Sequence, residues 1–261
     1  MDEASIQVDM IEGLEHQLGE PLGASVLTAL QRVPRDAFVD DAPHANGASE
    51  DAGTRVLAPE TVVRLITALD VDEGDDVLVV GAGVGYSVAM LAEIAGARHV
   101  HAVDIDREAV SIARSNLSTA GYDAALVDRR DGANGLPEYA PYDRILIEAA
   151  VLEPPRALGT QLADDGRIVY PRGTTTQTIV AIEPDDDRAS PLDADGDDDA
   201  PPGFVTVEKA GPAALRPMLV DGEQAGVERN RTRREEAEYA EQGRFAGHGW
   251  EQEWIDWDDR I

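Results

Sequence analysis

From Val77 onward the chain alternates short apolar runs with helical patterns, and that alternation leaves few folds open to it. VLVV, residues 77–80, leads through a glycine-bearing turn into the helical run VAMLAEIA, which stops at Gly96. HVHAVDI reads as a second strand, after which Asp106 caps a helix that runs through Asn116 and ends near Gly121. AALV, YDRILIEAA and RIVYP supply further strands, with a helix around PRALGTQLA before the last of them. Parallel strands need a long crossover, normally a helix, so repeated βαβ units predict an α/β fold with a mainly parallel, doubly wound sheet covered on both faces. TIVAIE and FVTVEK then read as an antiparallel C-terminal hairpin.

Helices precede this region. Val8, Ile11, Leu14 and Leu18 recur at helical spacing, and a second periodic run, Val26 to Val33, stops at Pro34. Pro59 opens a third run with Val62, Ile66 and Leu69 on one face, and residues 41–54, DAPHANGASEDAGT, read as a polar loop before it. The division that results is an N-terminal helical segment over 1–70, a ligand-binding domain over 71–220 and a helical tail over 221–261. Within the domain, residues 184–203, PDDDRASPLDADGDDDAPPG, are too poor in apolar groups to pack and are expected to form a disordered hairpin tip. The tail places Trp250, Trp254 and Trp257 on one helical face, which suits packing on its own domain, a contact between copies or a lid.

Composition removes several classes of function. Cysteine is absent, so there is no disulfide, thiolate metal site or cysteine nucleophile. The five histidines show no ligand spacing; His99 and His101, two apart, suit an ordinary sheet edge, and no metal is expected. With 52 acidic against 22 basic residues, a net charge of −30 and Lys209 as the single lysine, no basic patch offers itself to phosphates, and no nucleic-acid partner is expected. The same surface suits a halophile's cytoplasm at molar salt, where a Debye length of about 3 Å screens the self-repulsion. No run approaches the roughly 18 to 20 apolar residues of a membrane span, and MDEASIQ lacks a signal pattern, so a cytoplasmic protein with no membrane partner is expected.

The turn after VLVV reads GAGVGY, with Gly81, Gly83 and Gly85 followed by Tyr86. Closely spaced glycines between a strand and a helix let a ligand meet bare backbone and the helix N–H groups. A dinucleotide site needs G-x-G-x-x-G, so that its third glycine fits helix against strand beneath a pyrophosphate. Here the spacing is G-x-G-x-G, and Tyr86 stands where that last glycine belongs. Asp104 ends the second strand, where a carboxylate can accept hydrogen bonds from both ribose hydroxyls of an adenosine cofactor. Asp131, in RRDGANG after the third strand, is placed to meet an adenine amino group. Together these residues point to S-adenosylmethionine rather than a nicotinamide dinucleotide.

With these residues in place, the chain resembles the protein-L-isoaspartate O-methyltransferases, a branch of the class I S-adenosylmethionine-dependent methyltransferases, from about residue 8 to 215. DMIEGLEHQLG followed by LTALQRVPRDAFVD is similar to the family's N-terminal helices and its V-P-R-x-x-F-V signature. VLVVGAGVGYSVAMLAEIAG, VHAVDIDREAVSIARSNLSTAGY, RDGANGLPEYAPYDRILIEAA and LADDGRIVYPRG follow in the family's order. The resemblance implies a Rossmann-like fold and methylation of the stray carboxylate of L-isoaspartyl or D-aspartyl residues in damaged proteins and peptides, a repair reaction. It also implies that Gly81, Ala82, Gly83, Gly85 and Tyr86 cradle the methionine part of the cofactor, Asp104 and Ile105 its ribose, and Asp131 with Gly132 its adenine. An acceptor carboxylate is already ionised near neutrality, so positioning rather than a general base carries such a step.

The acceptor side departs from the family pattern. Where relatives have G-x-G-Q-T-I-S, this chain reads DAGTRVL, with Arg55 in the threonine's place and Leu57 in that of the serine whose hydroxyl helps to hold substrate. After the fourth strand Glu148 replaces a small or hydroxyl residue. A carboxylate there would repel an anionic acceptor, serve as a base or draw a neutral one, or else turn away to cap the next turn; Arg55 could grip an anion instead. Three readings follow: an isoaspartyl methyltransferase, a diverged relative with another acceptor, or a cofactor-binding scaffold with weak or no activity.

Overall fold

The computed structural model describes residues 3–19, 21–40, 43–45, 47–51, 54–185 and 200–219. The acidic stretch 186–199 and the tail with its three tryptophans lie outside the described residues, and so do the expectations of a disordered tip and a tryptophan-faced helix. Two helices, α1 (Glu3–Leu18) and α2 (Ala24–Arg32), precede a hairpin of β1 (Ser49–Asp51) and β2 (Thr54–Val56) and then α3 (Pro59–Leu69). The alternating region runs β3 (Val77–Val80), α4 (Tyr86–Ala95), β4 (Val100–Asp104), α5 (Arg107–Ala120), β5 (Leu126–Arg129) and β6 (Tyr142–Ile147). The single turn α6 (Arg156–Gly159), β7 (Leu162–Gly173), β8 (Gln177–Pro184) and β9 (Phe204–Ala213) complete it.

Seven strands form one sheet in the order β5-β4-β3-β6-β7-β8-β9. It is parallel from β5 to β7 and antiparallel from β7 to β9, as the two classes of connection require. Every residue of β3 is buried, which is why it reads as an unbroken apolar run. Side chains still alternate between the faces: Val77, Val79, Ala102 and Leu146 join one core, Leu78, Val80, Val103 and Ile147 the other. The first face carries α1 to α5. Leu136, Leu158 of α6, Met218 and the partly buried Phe204 close the second, so its cover is short turns and loops instead of a matching helix layer.

Local chemistry sets the helix ends. Pro59 occupies the first turn of α3, where its missing N–H costs nothing. The Asp106 carboxylate accepts from the Glu108 N–H at 2.8 Å and starts α5, and Gly121 ends it in a left-handed conformation. Three details differ from the sequence pattern. Val8 is exposed, and Met10, Ile11 and Leu14 form the buried stripe of α1. The polar stretch 41–54 contains β1 and part of β2, whose three-residue strands are too short to show alternation. β7 begins at Leu162, inside the run that looks helical, because the buried Gln161 side chain turns inward, accepting from the Leu136 N–H at 2.8 Å and donating to the carbonyls of Asn134 and Ala157.

Candidate active site

The chain reverses direction at β3, with β4 on one side and β6 on the other. Beyond the carboxyl ends of strands at such a reversal lies the crevice in which doubly wound sheets take ligands. Gly81, just past β3, and Glu148, just past β6, bound this crevice, and the Glu148 N–H donates to the Val80 carbonyl at 2.8 Å across it.

The glycine turn is held by its neighbours. The N–H groups of Gly81 and Ala82 donate to the Val103 carbonyl at 2.8 and 3.2 Å, and Asn116 of α5 donates from Nδ2 to the Val84 carbonyl at 3.0 Å. Gly81, Gly83 and Gly85 take φ of 98°, 52° and 91°. A Cβ at Gly85 would meet left-handed strain and also stand 3.3 Å from the Ala113 backbone, so this glycine sets the spacing of α4 and α5. Gly85→Ala is expected to cost roughly 2–3 kcal/mol, seen in urea unfolding as a lower midpoint at unchanged slope.

Asp104 sits at the end of β4 and binds the turn from below. Its Oδ2 accepts from the Gly83 N–H at 3.0 Å and its Oδ1 from the Asp106 N–H at 2.9 Å. Burial pushes its pKa up, and these two hydrogen bonds pull against that rise. An ionised carboxylate has about four acceptor sites, more than its main-chain donors fill, so it can still accept from a hydroxyl. Ile105 follows, half-buried, its carbonyl accepting from Arg129 Nε at 3.4 Å. The Asp131 carboxylate accepts from the Ala133 N–H at 2.9 Å and opens a short helical turn over Gly132–Asn134. Gly132 is buried, and a Cβ there would overlap Val80 and stand 3.2 Å from the Met218 methyl. Three elements thus converge on one side of the crevice: a bare main-chain bend, a carboxylate with lone pairs to spare and a second acid. The turn residues Gly81–Tyr86 include no basic side chain to answer a pyrophosphate. The donor and acceptor chemistry of this arrangement fits S-adenosylmethionine.

On the acceptor side, Val56, Leu57 and Val62 face Gly83, Ser87 and Glu148 across a cleft of only about 20 Å³, room for one water. Leu57 is half-buried. Arg55 lies in β2 opposite Glu50, and its side chain falls outside what the structure describes. Glu148 keeps some exposed surface as a residue, yet its Oε1 is buried without a hydrogen-bond partner. Burial raises its pKa to about 7; the Ser87 hydroxyl, hydrogen-bonded to the carboxyl, opposes the rise, and the Asp104 charge adds to it.

Arg35, visible in the sequence only as part of VPRDAFV, proves central. It is buried, donates from Nε to the Pro43 carbonyl at 2.7 Å and from Nη2 to the Leu57 carbonyl at 3.0 Å, and lays its guanidinium 4.4 Å from the centroid of the Tyr86 ring. Phe38 of the same motif meets that ring edge-on at 5.7 Å. One side chain therefore ties Leu57 on the acceptor side to the residue that follows the glycine turn. Ser87 was equally silent in sequence, since a buried serine on an apolar helix shows no periodic signal.

Among the described residues no group of three or more histidine, aspartate or glutamate side chains is placed to hold a metal ion, and no helix is long and apolar enough to cross a membrane.

Comparison with known proteins agrees with this geometry. The family model for protein-L-isoaspartate(D-aspartate) O-methyltransferase matches residues 8–197. The protein-L-isoaspartate O-methyltransferase of Methanocella arvoryzae is 40% identical over 160 residues, covering 59% of this chain and 85% of that protein. That of Aeropyrum pernix is 42% identical over 183 residues, covering 66% and 69%. A solved protein-L-isoaspartate O-methyltransferase superposes with a TM-score of 0.66 at 21% identity, over 81% of this chain and 65% of that one. A putative one from Plasmodium falciparum, in complex with S-adenosyl-L-homocysteine, gives 0.65 at 17%, over 81% and 97%. At such identities the two structures speak for the fold.

Proposed function

The chain belongs to the protein-L-isoaspartate(D-aspartate) O-methyltransferase family, an S-adenosylmethionine-dependent family of enzymes, and from that premise we propose how its own residues serve the reaction. The acceptor is the side-chain or main-chain carboxylate exposed when an aspartyl linkage isomerises, presented on a damaged protein or peptide. When bound, S-adenosylmethionine supplies an electrophilic methyl on a sulfonium, which the acceptor oxygen takes by in-line displacement. Asp104 and Asp131 fix the nucleoside, and the glycine turn lets the main chain approach the amino-acid part. Val56, Leu57 and Val62 exclude water from the side on which the acceptor arrives. No residue need remove a proton, because the nucleophile is ionised at neutral pH; catalysis is alignment.

The observation that carries this reading is the juxtaposition of Gly81 and Glu148 at the sheet reversal, which brings cofactor cradle and acceptor cleft to one crevice. Incubation with methyl-labelled S-adenosylmethionine, an isoaspartyl peptide and its aspartyl twin tests it, in molar potassium chloride to screen the charge of −30. Base-labile label is expected on the isoaspartyl peptide alone. Label on neither, with S-adenosylhomocysteine still bound, would assign the crevice to another acceptor or to a scaffold.

A further inference from the structure

Among the described residues, Glu148 is a buried acid with no cation paired to it. Its main chain is fixed by the N–H bond to Val80, which seats the side chain at the crevice between the ends of β3 and β6. The other described side chains that line its cleft are uncharged. Gly81 comes from the end of β3, and a Cβ there would lie only 3.5 Å from that of Glu148. α4 contributes the Ser87 hydroxyl and Tyr86, whose phenol is held protonated by its burial. The stretch 56–57 and α3 contribute Val56, Leu57 and Val62. The charge acting on the carboxyl is that of Asp104, of the same sign. The Arg35 guanidinium, stacked on Tyr86, spends Nε and Nη2 on the carbonyls of Pro43 and Leu57. Oε1 meanwhile has no hydrogen-bond partner among the described residues. A buried polar atom left unpaired beside a binding cleft is costly unless a ligand completes it.

An acceptor that is itself a carboxylate sharpens the question. Two carboxylates in one desolvated cleft cannot both be ionised; they hold one proton between them. The proton stays on the more basic of the two, and a free peptide carboxylate, at about 4, is far the weaker base. We propose that Glu148 recognises the acceptor as a carboxylic acid, donating a hydrogen bond through its own proton to one oxygen of the isoaspartyl carboxylate and leaving the other free to attack. This deepens the isoaspartyl reading and rests on it. Ester formation consumes no proton, so Glu148 leaves the cycle as it entered. It also gives the cleft a donor where Leu57 can offer none.

The sign of the linkage follows from the raised pKa. Below pH 7 the free site already carries the proton, and the peptide binds without exchanging one with solvent. Above pH 7 the site is ionised, so binding must draw a proton from solvent, and affinity falls about tenfold per pH unit. The test is calorimetric titration of an isoaspartyl peptide into the S-adenosylhomocysteine complex, in which no sulfonium charge perturbs Glu148. It is run at pH 5.5 in MES and in histidine and at pH 8 in phosphate and in Tris, buffer pairs whose ionisation enthalpies differ. The expected result is uptake of about 0.9 proton per peptide at pH 8 and close to none at pH 5.5. In Glu148→Gln, which keeps a donor but cannot titrate, uptake disappears and affinity becomes flat with pH. Peptide binding at pH 8 without proton uptake overturns the inference and leaves the isoaspartyl reading standing. Uptake that survives in Glu148→Gln also overturns it, since another group is then responsible. S-adenosylhomocysteine binding with no peptide binding at any pH overturns the isoaspartyl reading and this inference together. The wild-type measurement decides even if the variant fails to fold.

Discussion

Asp104→Ala lowers the affinity for S-adenosylhomocysteine by about two to four orders of magnitude, read by calorimetry. Hydrogen bonds to a charged group contribute about 1.5–3 kcal/mol each, and two of them to the ribose, at about 1.4 kcal/mol per decade, give a loss of that size. A second cost falls on the protein. The N–H groups of Gly83 and Asp106 lose their acceptor; the exposed Asp106 N–H can turn to water, while the part-buried Gly83 N–H is left short of a partner, at a cost of about 1 kcal/mol. The turn should therefore loosen before any ligand arrives. Asp104→Asn separates the two effects. The amide matches the shape, but one of its ends is an NH₂ facing a backbone N–H, so one of the two existing bonds must fail. It should bind within tenfold of the alanine variant. A loss of less than about threefold in Asp104→Ala would sink the assignment of the ribose to this residue.

Arg35→Met destabilises the protein by roughly 2–3 kcal/mol and raises the KM for peptide more than the KM for S-adenosylmethionine. The two main-chain acceptors at Pro43 and Leu57 lose a charged donor, a loss that relief from burying a guanidinium partly offsets. Burial already pulls the Arg35 pKa down, the signature of that opposing cost. For a chain of this size the fall in Tm is roughly 5–10 °C. The functional asymmetry follows from geometry: the Leu57 carbonyl is tethered by Arg35 directly, whereas the glycine turn feels it only through the Tyr86 ring. Arg35→Lys should not rescue, because a lysine cannot reach two carbonyls in a fixed fork while lying flat on an aromatic face. Equal changes in both KM values would mean that Arg35 supports the fold without positioning the acceptor side.

The parts legible in the sequence were those set by short-range chemistry. Asp106, Gly121 and Pro59 announce helix ends because capping involves only the adjacent turn. Gly81, Gly83 and Gly85 announce a bare bend for the same reason, and Asp104 follows once the second strand is placed. What escaped depends on distant partners. Nothing near Gln161 says that its amide will be spent on Leu136, Asn134 and Ala157, so the chain there passes for helix until those partners are in place. Arg35 looks like any surface arginine until Pro43, Leu57 and Tyr86 close around it. Glu148 stands out in the sequence as an unexpected acid, but that its Oε1 finds no partner among the described residues is a property of the elements packed around it. Both faces of the sheet are covered, as the βαβ pattern implies, but the pattern does not say with what: on the second face a four-residue helix and loops bury Leu136, Leu158 and Met218.

Nearly all of α4 is buried, from Tyr86 through Ala92, and Gly85 seats its first turn against Ala113. A rod enclosed in this way holds the glycine turn in place independently of whatever stands opposite. The opposite wall is joined to it by main-chain bonds, such as that from Glu148 to Val80, which any side chain leaves intact. Drift at positions 57 and 148 is therefore nearly free of penalty for folding. The scaffold is evolvable on one flank and conservative on the other, so descendants of such a chain can acquire new nucleophiles while keeping the same methyl donor.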